Sequence, residues 1–185
     1  KACSDVCVTS ANALKIVKEL PNKNIYFIPD QHLASYIAQQ APEKNILLNP
    51  GYCPIHHELS ADAVKAEMRR HPDAQVLVHP ECPKDVTDLA DYAGSTSGIL
   101  EYAKKSDAEE FIICTEKGVF HELRKQNPKK QFYMVGEGQC CEGMKRITLQ
   151  KVADALEFYK TETVIDEKLR QDAEKPLQKM LELSK

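Results

Sequence analysis

Short apolar runs alternate with amphipathic segments along the whole chain. The apolar runs predict β-strands, and the segments between them space their apolar side chains about three or four residues apart, which predicts α-helices. The predicted strands cover residues 5–9, 24–28, 45–48, 75–78, 91–93, 111–115 and 131–135. The predicted helices cover residues 10–20, 33–40, 60–70, 83–90, 97–105, 118–126, 148–159 and 165–184, and Pro176 is expected to kink or divide the last one.

The second half of the chain repeats the pattern of the first. DVCVTSANALKIV aligns with DYAGSTSGILEYA, FIPD with ICTE, and APEKNILL with NPKKQFYM, all at one offset. The two cysteine loops then correspond after a small insertion, Cys53 with Cys141. Successive strand–helix units require parallel strands joined by helical crossovers. The sequence therefore predicts an α/β fold of pseudo-symmetric, repeated three-layer α/β/α domains with short parallel sheets.

The repeat also predicts domain boundaries. Residues 1–58 form a partial second repeat, residues 59–146 a third repeat, and residues 147–185 helices that pack on a first domain. The repeat at 59–146 contains the strand QVLVHPE before DYAGSTS, whereas no such strand precedes DVCVTS. We therefore expect the upstream part of the partial repeat, together with an earlier unit, to lie outside this chain.

Composition excludes several classes of protein. With 42% hydrophobic and 29% charged residues the chain is of the ordinary globular kind. The net charge of −3 and the scattered Lys and Arg argue against a nucleic-acid partner. No apolar run approaches the roughly 18–20 residues that span a membrane. No signal peptide opens the chain, and with the abundant thiols this predicts a cytoplasmic location.

The seven cysteines are odd in number and irregular in spacing. We find no CxxC motif and no Cys/His zinc spacing, which argues against a disulfide framework and a zinc ribbon. Cys7 and Cys114 lie inside apolar runs and are expected to be structural. Cys53 and Cys141 occupy equivalent loops, as expected for thiolate ligands that converge from separate domains on an iron–sulfur cluster.

Two thiolates are too few to hold a stable cluster. A third equivalent cysteine in a unit outside this chain would complete a four-iron cluster with one iron left open, and an open iron acts as a Lewis acid. His56 and His57 follow Cys53 closely, either as neighbours of the cluster ligand or as solvated loop residues. Solvation is the expectation for His57.

Polar residues follow the strand at 75–78 directly. Pro80 cannot donate to a ladder, so it leaves His79 and Glu81 at the carboxyl end of the strand. Open α/β sheets bind their ligands at this end. An imidazole and a carboxylate so placed make a candidate acid/base pair, with two exposed polar side chains as the alternative interpretation.

Small hydroxyl residues open two of the predicted helices in equivalent places. Ser10, Ser95 and Thr96 lie where free backbone N–H groups favour an anion, which indicates carboxylate or phosphate binding. Simple N-capping is the alternative. Asp30 and Glu116 are also equivalent, and we interpret both as helix-capping acids.

Six segments carry a family resemblance: DVCVTSANA, GYCPIH, VLVHPEC, ADYAGSTSG, FIICTEKGVFHEL and CEGMKRITL, in this order. Together they resemble quinolinate synthase, the A protein of bacterial NAD biosynthesis, over essentially the whole chain. The resemblance implies three pseudo-symmetric α/β domains around a 4Fe–4S cluster held by one cysteine from each. It also implies condensation of iminoaspartate with dihydroxyacetone phosphate to quinolinate, with loss of phosphate and two waters.

By motif, the resemblance makes Cys53 the second cluster ligand. Cys141 is the third, because it is the cysteine followed by x-x-Met, and Cys140 is an extra neighbour. The cysteines that match no ligand position of the family are Cys3, Cys7, Cys82 and Cys114.

The resemblance also assigns substrate contacts. His79, Pro80 and Glu81 would lie against the substrate, with Glu81 and His79 as the catalytic pair and Glu81 as the acid/base of dehydration and tautomerisation. The residues implied to hold substrate carboxylates are Ser10, Ser95 and Thr96.

The family's first domain, with its cysteine, is not in this sequence. The chain alone is therefore expected to be inactive, with the N-terminal domain supplied in cis or in trans, and L-aspartate oxidase is the expected source of iminoaspartate. Two other functions remain open: a non-enzymatic anion-binding module, and another enzyme with one cluster cysteine per domain, of the diphthamide-biosynthesis type. The HPE and GST motifs favour quinolinate synthase over the latter.

Overall fold

Six short parallel strands form two sheets in the computed structural model, which describes residues 1–185. Strands β1 (Asn24–Phe27) and β2 (Asn45–Leu48) pair with each other, Asn24 opposite Asn45. The larger sheet has the order β4-β3-β5-β6. Its strands are β3 (Gln75–Val78), β4 (Tyr92–Ala93), β5 (Glu110–Cys114) and β6 (Gln131–Met134).

Helices connect these strands, as parallel pairing requires. They are α1 (Ala13–Glu19), α2 (Gln31–Gln40), α3 (Pro54–His57), α4 (Ala61–Arg70), α5 (Lys84–Thr87), α6 (Thr96–Lys105), α7 (Val119–Gln126), α8 (Glu142–Lys145), α9 (Leu149–Phe158) and α10 (Glu167–Leu183). Five of them begin at a side chain that accepts a backbone N–H, a cap worth about 1 kcal/mol. The capping residues are Asp30, Ser60, Ser95, Thr148 and Asp166. None of the helices is long and apolar enough to cross a lipid bilayer.

Both faces of the larger sheet are buried. Val76 and Ile112 pack with Val64 of α4 on one face, whereas Leu77 and Phe111 pack with Ile99 of α6 on the other. Successive residues of a strand point to opposite faces, so a continuous apolar run buries both. This arrangement confirms the predicted three-layer α/β/α class.

The chain divides into two compact units. The large unit is Thr9–Cys140 and contains all six strands, and the small unit combines Lys1–Val8 with Cys141–Lys185. The division of the sequence into domains at residues 58 and 146 stays a prediction.

The predicted strand at residues 5–9 is wrong. These residues are in no strand, and the division between the units falls after Val8. Within the small unit the N–H of Cys7 donates to the carbonyl of Pro176, 3.0 Å away, instead of pairing with a strand. The apolar run is thus used to attach the chain to α10.

Two helix details also differ from the prediction. Ser10 is not the N-cap of α1, because the helix begins later, after Asn12. The side-chain oxygen of Asn12 accepts from the N–H and the hydroxyl of Thr9 and so closes the turn before the helix. Pro176 does not divide α10, which continues through it. Arg170 pairs with Glu167 and Glu174 and supports the turns that precede the proline.

Gln139 fastens the loop after β6 to the sheet. Its side chain is 1% exposed. The amide donates to the carbonyls of Ile113 and Thr115 and accepts the N–H of Val135. Because these three backbone groups have no access to water, removal of the amide would leave them unsatisfied.

We expect Gln139→Leu to lower the free energy of unfolding by about 3 kcal/mol, because each buried backbone group left without a hydrogen-bond partner costs about 1–3 kcal/mol. Urea denaturation of the full-length protein measures this change. Gln126→Leu is the matched control, since Gln126 is exposed at the end of α7 and should change stability by less than about 0.5 kcal/mol. Equal effects of the two variants would contradict this role of Gln139.

Candidate functional site

The HPE motif lies at the carboxyl end of β3, as predicted. The N–H of His79 donates to the carbonyl of Cys114, 3.0 Å away, and so adds one bond beyond the strand. The carbonyl of His79 then accepts the N–H of Cys82 and closes a turn around Pro80 and Glu81. His79 is buried, with only 6% of its surface exposed. The alternative interpretation, in which His79 and Glu81 are two exposed polar side chains, is therefore wrong for His79.

The loop after β2 brings Cys53 to the same place. Asp30 holds this loop: one carboxylate oxygen caps α2 through the N–H of Leu33, and the other accepts the N–H of Cys53 at 2.9 Å. Asp30 is therefore the capping acid that the sequence predicted, and it also positions Cys53. Glu116 accepts the N–H of Gly118, but Gly118 is itself the N-cap residue of α7 and no side chain caps this helix, so the prediction of Glu116 as a capping acid is wrong.

His56 lies in the middle of the site. Its Nε2 is 3.0 Å from the hydroxyl of Thr115, and its Nδ1 is 3.3 Å from Oε2 of Glu81. Its ring stacks on that of His79 with centroids 4.5 Å apart. His57, by contrast, is exposed and contacts His32 and Tyr52, in agreement with the expectation of a solvated residue.

Cys53, His56 and Glu81 form a group of metal-ligating side chains. Their donor atoms all lie within 4.8 Å of one another. His56 is 7% exposed, and its Nδ1 makes no well-aligned hydrogen bond although Glu81 is near. The nearby backbone N–H groups of His56 and Ile55 favour the thiolate of Cys53, although burial outweighs them and raises the pKa of this thiol. A half-buried thiol beside an imidazole and a carboxylate is a set of side chains that can hold a metal ion.

Burial and neighbouring groups set the protonation states of Glu81 and His79. The contact with His56 lowers the pKa of Glu81 although burial opposes this, so the carboxylate is ionised at neutral pH. Burial, with His56 as the next cause, lowers the pKa of His79 to about 4, so this imidazole is neutral. Burial raises the pKa of the Cys53 thiol.

The buried cysteines are unlike Cys53. Burial raises the pKa of Cys114 to about 12 and also raises that of Cys82. Both thiols therefore stay protonated, in agreement with Cys114 as a structural residue. Cys3 is exposed to solvent, and Cys7 and Cys140 are half-buried.

The remaining predicted site residues lie at helix starts. Ser95 caps α6 by accepting the N–H of Gly98, and Thr96 is the first residue of that helix. Ser10 lies in the turn before α1. Cys141 belongs to the small unit, where it precedes α8 as its N-cap residue. Its role as partner of Cys53 stays a prediction.

Sequence reasoning missed Thr115 and the position of His56. Thr115 is 3% exposed and bonds to a histidine 59 positions away, a contact that no local pattern reveals. The sequence prediction of no Cys/His zinc spacing is wrong, because Cys53-x-x-His56 places two donor side chains one helical turn apart and the structure brings them together.

Known proteins of one family are similar to this chain over almost its whole length. Residues 1–182 match the family model described as Quinolinate synthetase A protein. The chain is 48% identical to the quinolinate synthase of Alkaliphilus metalliredigens, over 99% of this chain and 60% of that protein. It is 46% identical to that of Caldicellulosiruptor bescii and 45% identical to that of Fusobacterium nucleatum.

The chain therefore belongs to the quinolinate synthetase A protein family. It spans about 60% of the length of the curated relatives it matches. The family match favours this assignment over enzymes of the diphthamide-biosynthesis type.

Proposed function

We propose that the chain is part of an enzyme that condenses iminoaspartate with dihydroxyacetone phosphate to quinolinate, with release of phosphate and two waters. The main support for the proposal is that the side chains of Cys53, His56 and Glu81 lie close together at the end of β3 in a chain of this family. Cys53 and Cys141, with a third cysteine from a domain outside this sequence, would hold a 4Fe–4S cluster. Such a cluster supplies a Lewis-acid iron for binding and polarising a substrate oxygen.

Glu81 is the proton-transfer group of this proposal. Its lowered pKa makes it a base in the resting site, so it accepts the proton that a substrate carbon or nitrogen loses. It then returns that proton to the hydroxyl that leaves as water. His56 lies against the carboxylate and keeps it ionised and oriented between these transfers.

His79 positions the substrate as a neutral donor. Its Nδ1 accepts the N–H of Glu81 at 3.3 Å, which places the ring proton on Nε2. A neutral N–H donor orients a carbonyl or carboxylate without neutralising Glu81. Ser95 and Thr96 at the start of α6, together with Ser10, are proposed to hold the substrate carboxylates.

The small unit supports a role for a further domain. Leu149, Val152 and Leu156 of α9 are exposed apolar side chains. We propose that residues 147–185 pack on the domain that carries the third cysteine, in cis or in trans. The chain alone would then be inactive, L-aspartate oxidase would supply iminoaspartate, and the enzyme would be cytoplasmic.

The test uses the full-length protein that contains this chain. After anaerobic reconstitution with iron and sulfide, it receives dihydroxyacetone phosphate and iminoaspartate, and quinolinate is measured by chromatography and mass spectrometry. We expect quinolinate and phosphate in equal amounts, and none from the 185-residue chain by itself. A protein that carries the cluster but forms no quinolinate would contradict the proposal and favour a non-enzymatic anion-binding module.

A further inference from the structure

Three donors of different chemical kinds converge within the large unit. Sulfur, nitrogen and oxygen atoms of Cys53, His56 and Glu81 all lie within 4.8 Å of one another. The family's cluster needs only the cysteine of this group. The histidine and the carboxylate therefore form, with Cys53, a donor set that the cluster does not account for.

One of the three donor separations matches that in a tetrahedral zinc site. Two ligands at about 2.0–2.2 Å from zinc lie about 3.3–3.6 Å apart across a tetrahedral angle. Nδ1 of His56 and Oε2 of Glu81 are 3.3 Å apart. The remaining separations are at most 4.8 Å, and a side-chain shift of about 1 Å brings them into this range.

The second ring nitrogen of His56 is held as in a metal-ligating histidine. A ligating imidazole usually donates its other N–H to a neighbouring acceptor, which fixes the ring. Nε2 of His56 lies 3.0 Å from the Thr115 hydroxyl. This leaves the buried Nδ1 directed at Glu81 with no well-aligned hydrogen bond.

We propose that Cys53, His56 and Glu81 form a mononuclear site for a borderline divalent cation of the Zn²⁺ type, with a fourth position open. Thiolate, imidazole and carboxylate together are a donor set of zinc sites, and their two negative charges balance a divalent ion. The site shares Cys53 with the cluster, so the ion and the cluster exclude each other. Zinc therefore blocks cluster assembly in the protein that contains this chain.

Cobalt(II) is the probe that tests this site. The full-length apo-protein is treated with chelator and titrated anaerobically with Co²⁺. We expect one ion per chain, with a sulfur-to-cobalt charge-transfer band and the visible bands of tetrahedral cobalt, all displaced by Zn²⁺. The zinc-loaded protein should then take up no iron–sulfur cluster until the zinc is chelated.

Variants distinguish this site from the cluster cysteines. His56→Asn and Glu81→Gln should each remove the tetrahedral bands, whereas Cys141→Ala and Cys140→Ala should keep them. Thr115→Val should weaken Co²⁺ binding about 10–100-fold, and Thr115→Ser, which retains the hydroxyl, should not. Circular dichroism and the thermal midpoint check that each variant is folded.

Two results would overturn the proposal. One is cobalt binding that survives His56→Asn and Glu81→Gln but is lost in Cys141→Ala, which would place the ion among the cluster cysteines. The other is apo-protein that binds no cobalt, which would make the contact between His56 and Glu81 an ion pair only. Neither result bears on quinolinate formation, which is measured separately on the cluster-loaded enzyme.

Discussion

Cys53→Ala in the full-length protein is expected to abolish both the iron–sulfur cluster and quinolinate formation. Removal of one thiolate from three leaves too few ligands to keep a four-iron cluster assembled. The cluster is measured by its visible absorption and by iron and sulfide content after anaerobic reconstitution. The hydrogen bond from the Cys53 N–H to Asp30 is made by the backbone, so alanine should keep the loop in place.

The neighbouring cysteines supply the controls. Cys141→Ala should have the same effect as Cys53→Ala, whereas Cys140→Ala should retain the cluster and the activity. Retention of the cluster in Cys141→Ala, with loss in Cys140→Ala, would show that the assignment of the third ligand is wrong.

Glu81→Gln is expected to lower turnover about 10²–10⁴-fold while the cluster stays intact. Glutamine has nearly the size and shape of glutamate and can still contact His56, but it cannot accept and return a proton. The loss should appear in kcat with a smaller change in KM, because the substrate contacts of His79 remain. Steady-state quinolinate assays on reconstituted enzyme measure both constants.

Glu58→Gln is the matched control for Glu81. Glu58 lies exposed at the end of α3, close to the same loop, and should leave turnover unchanged. If Glu81→Gln also keeps near-normal turnover, Glu81 only positions substrate or packs against His56, and another group moves the proton.

Local sequence patterns were sufficient to predict structure that depends on a few successive residues. The strands at 24–28, 45–48, 75–78, 91–93, 111–115 and 131–135 were predicted within about one residue of β1 to β6. In β3 and β5 the continuous apolar run suits a strand that is buried on both faces. Ser60 begins a predicted helix and caps α4, and Ser95 caps α6, as in the alternative interpretation of that position, since a cap depends on a few successive residues.

Local patterns failed where a distant segment supplied the partner. The run at residues 5–9 has strand composition, yet Cys7 bonds to Pro176 near the other end of the sequence. Ser10 has the right chemistry for a cap, but Asn12 and Thr9 close the preceding turn and move the helix start. Pro176 removes one helical bond, which a long helix with several ion pairs tolerates.

The sequence by itself determined the fold class, the family and the placement of His79 and Glu81 after a buried strand. These follow from the apolar pattern, the internal repeat and a proline that ends ladder pairing. Only the tertiary structure decided that His56 meets Glu81, Cys53 and Thr115. Glu81 and Thr115 follow β3 and β5, whose parallel pairing places their carboxyl ends side by side. Cys53 and His56 follow β2 of the separate two-stranded sheet, and only the packing of their loop brings them to that edge. The chemistry of the site depends on these contacts, because burial and proximity lower the pKa values of both His79 and Glu81.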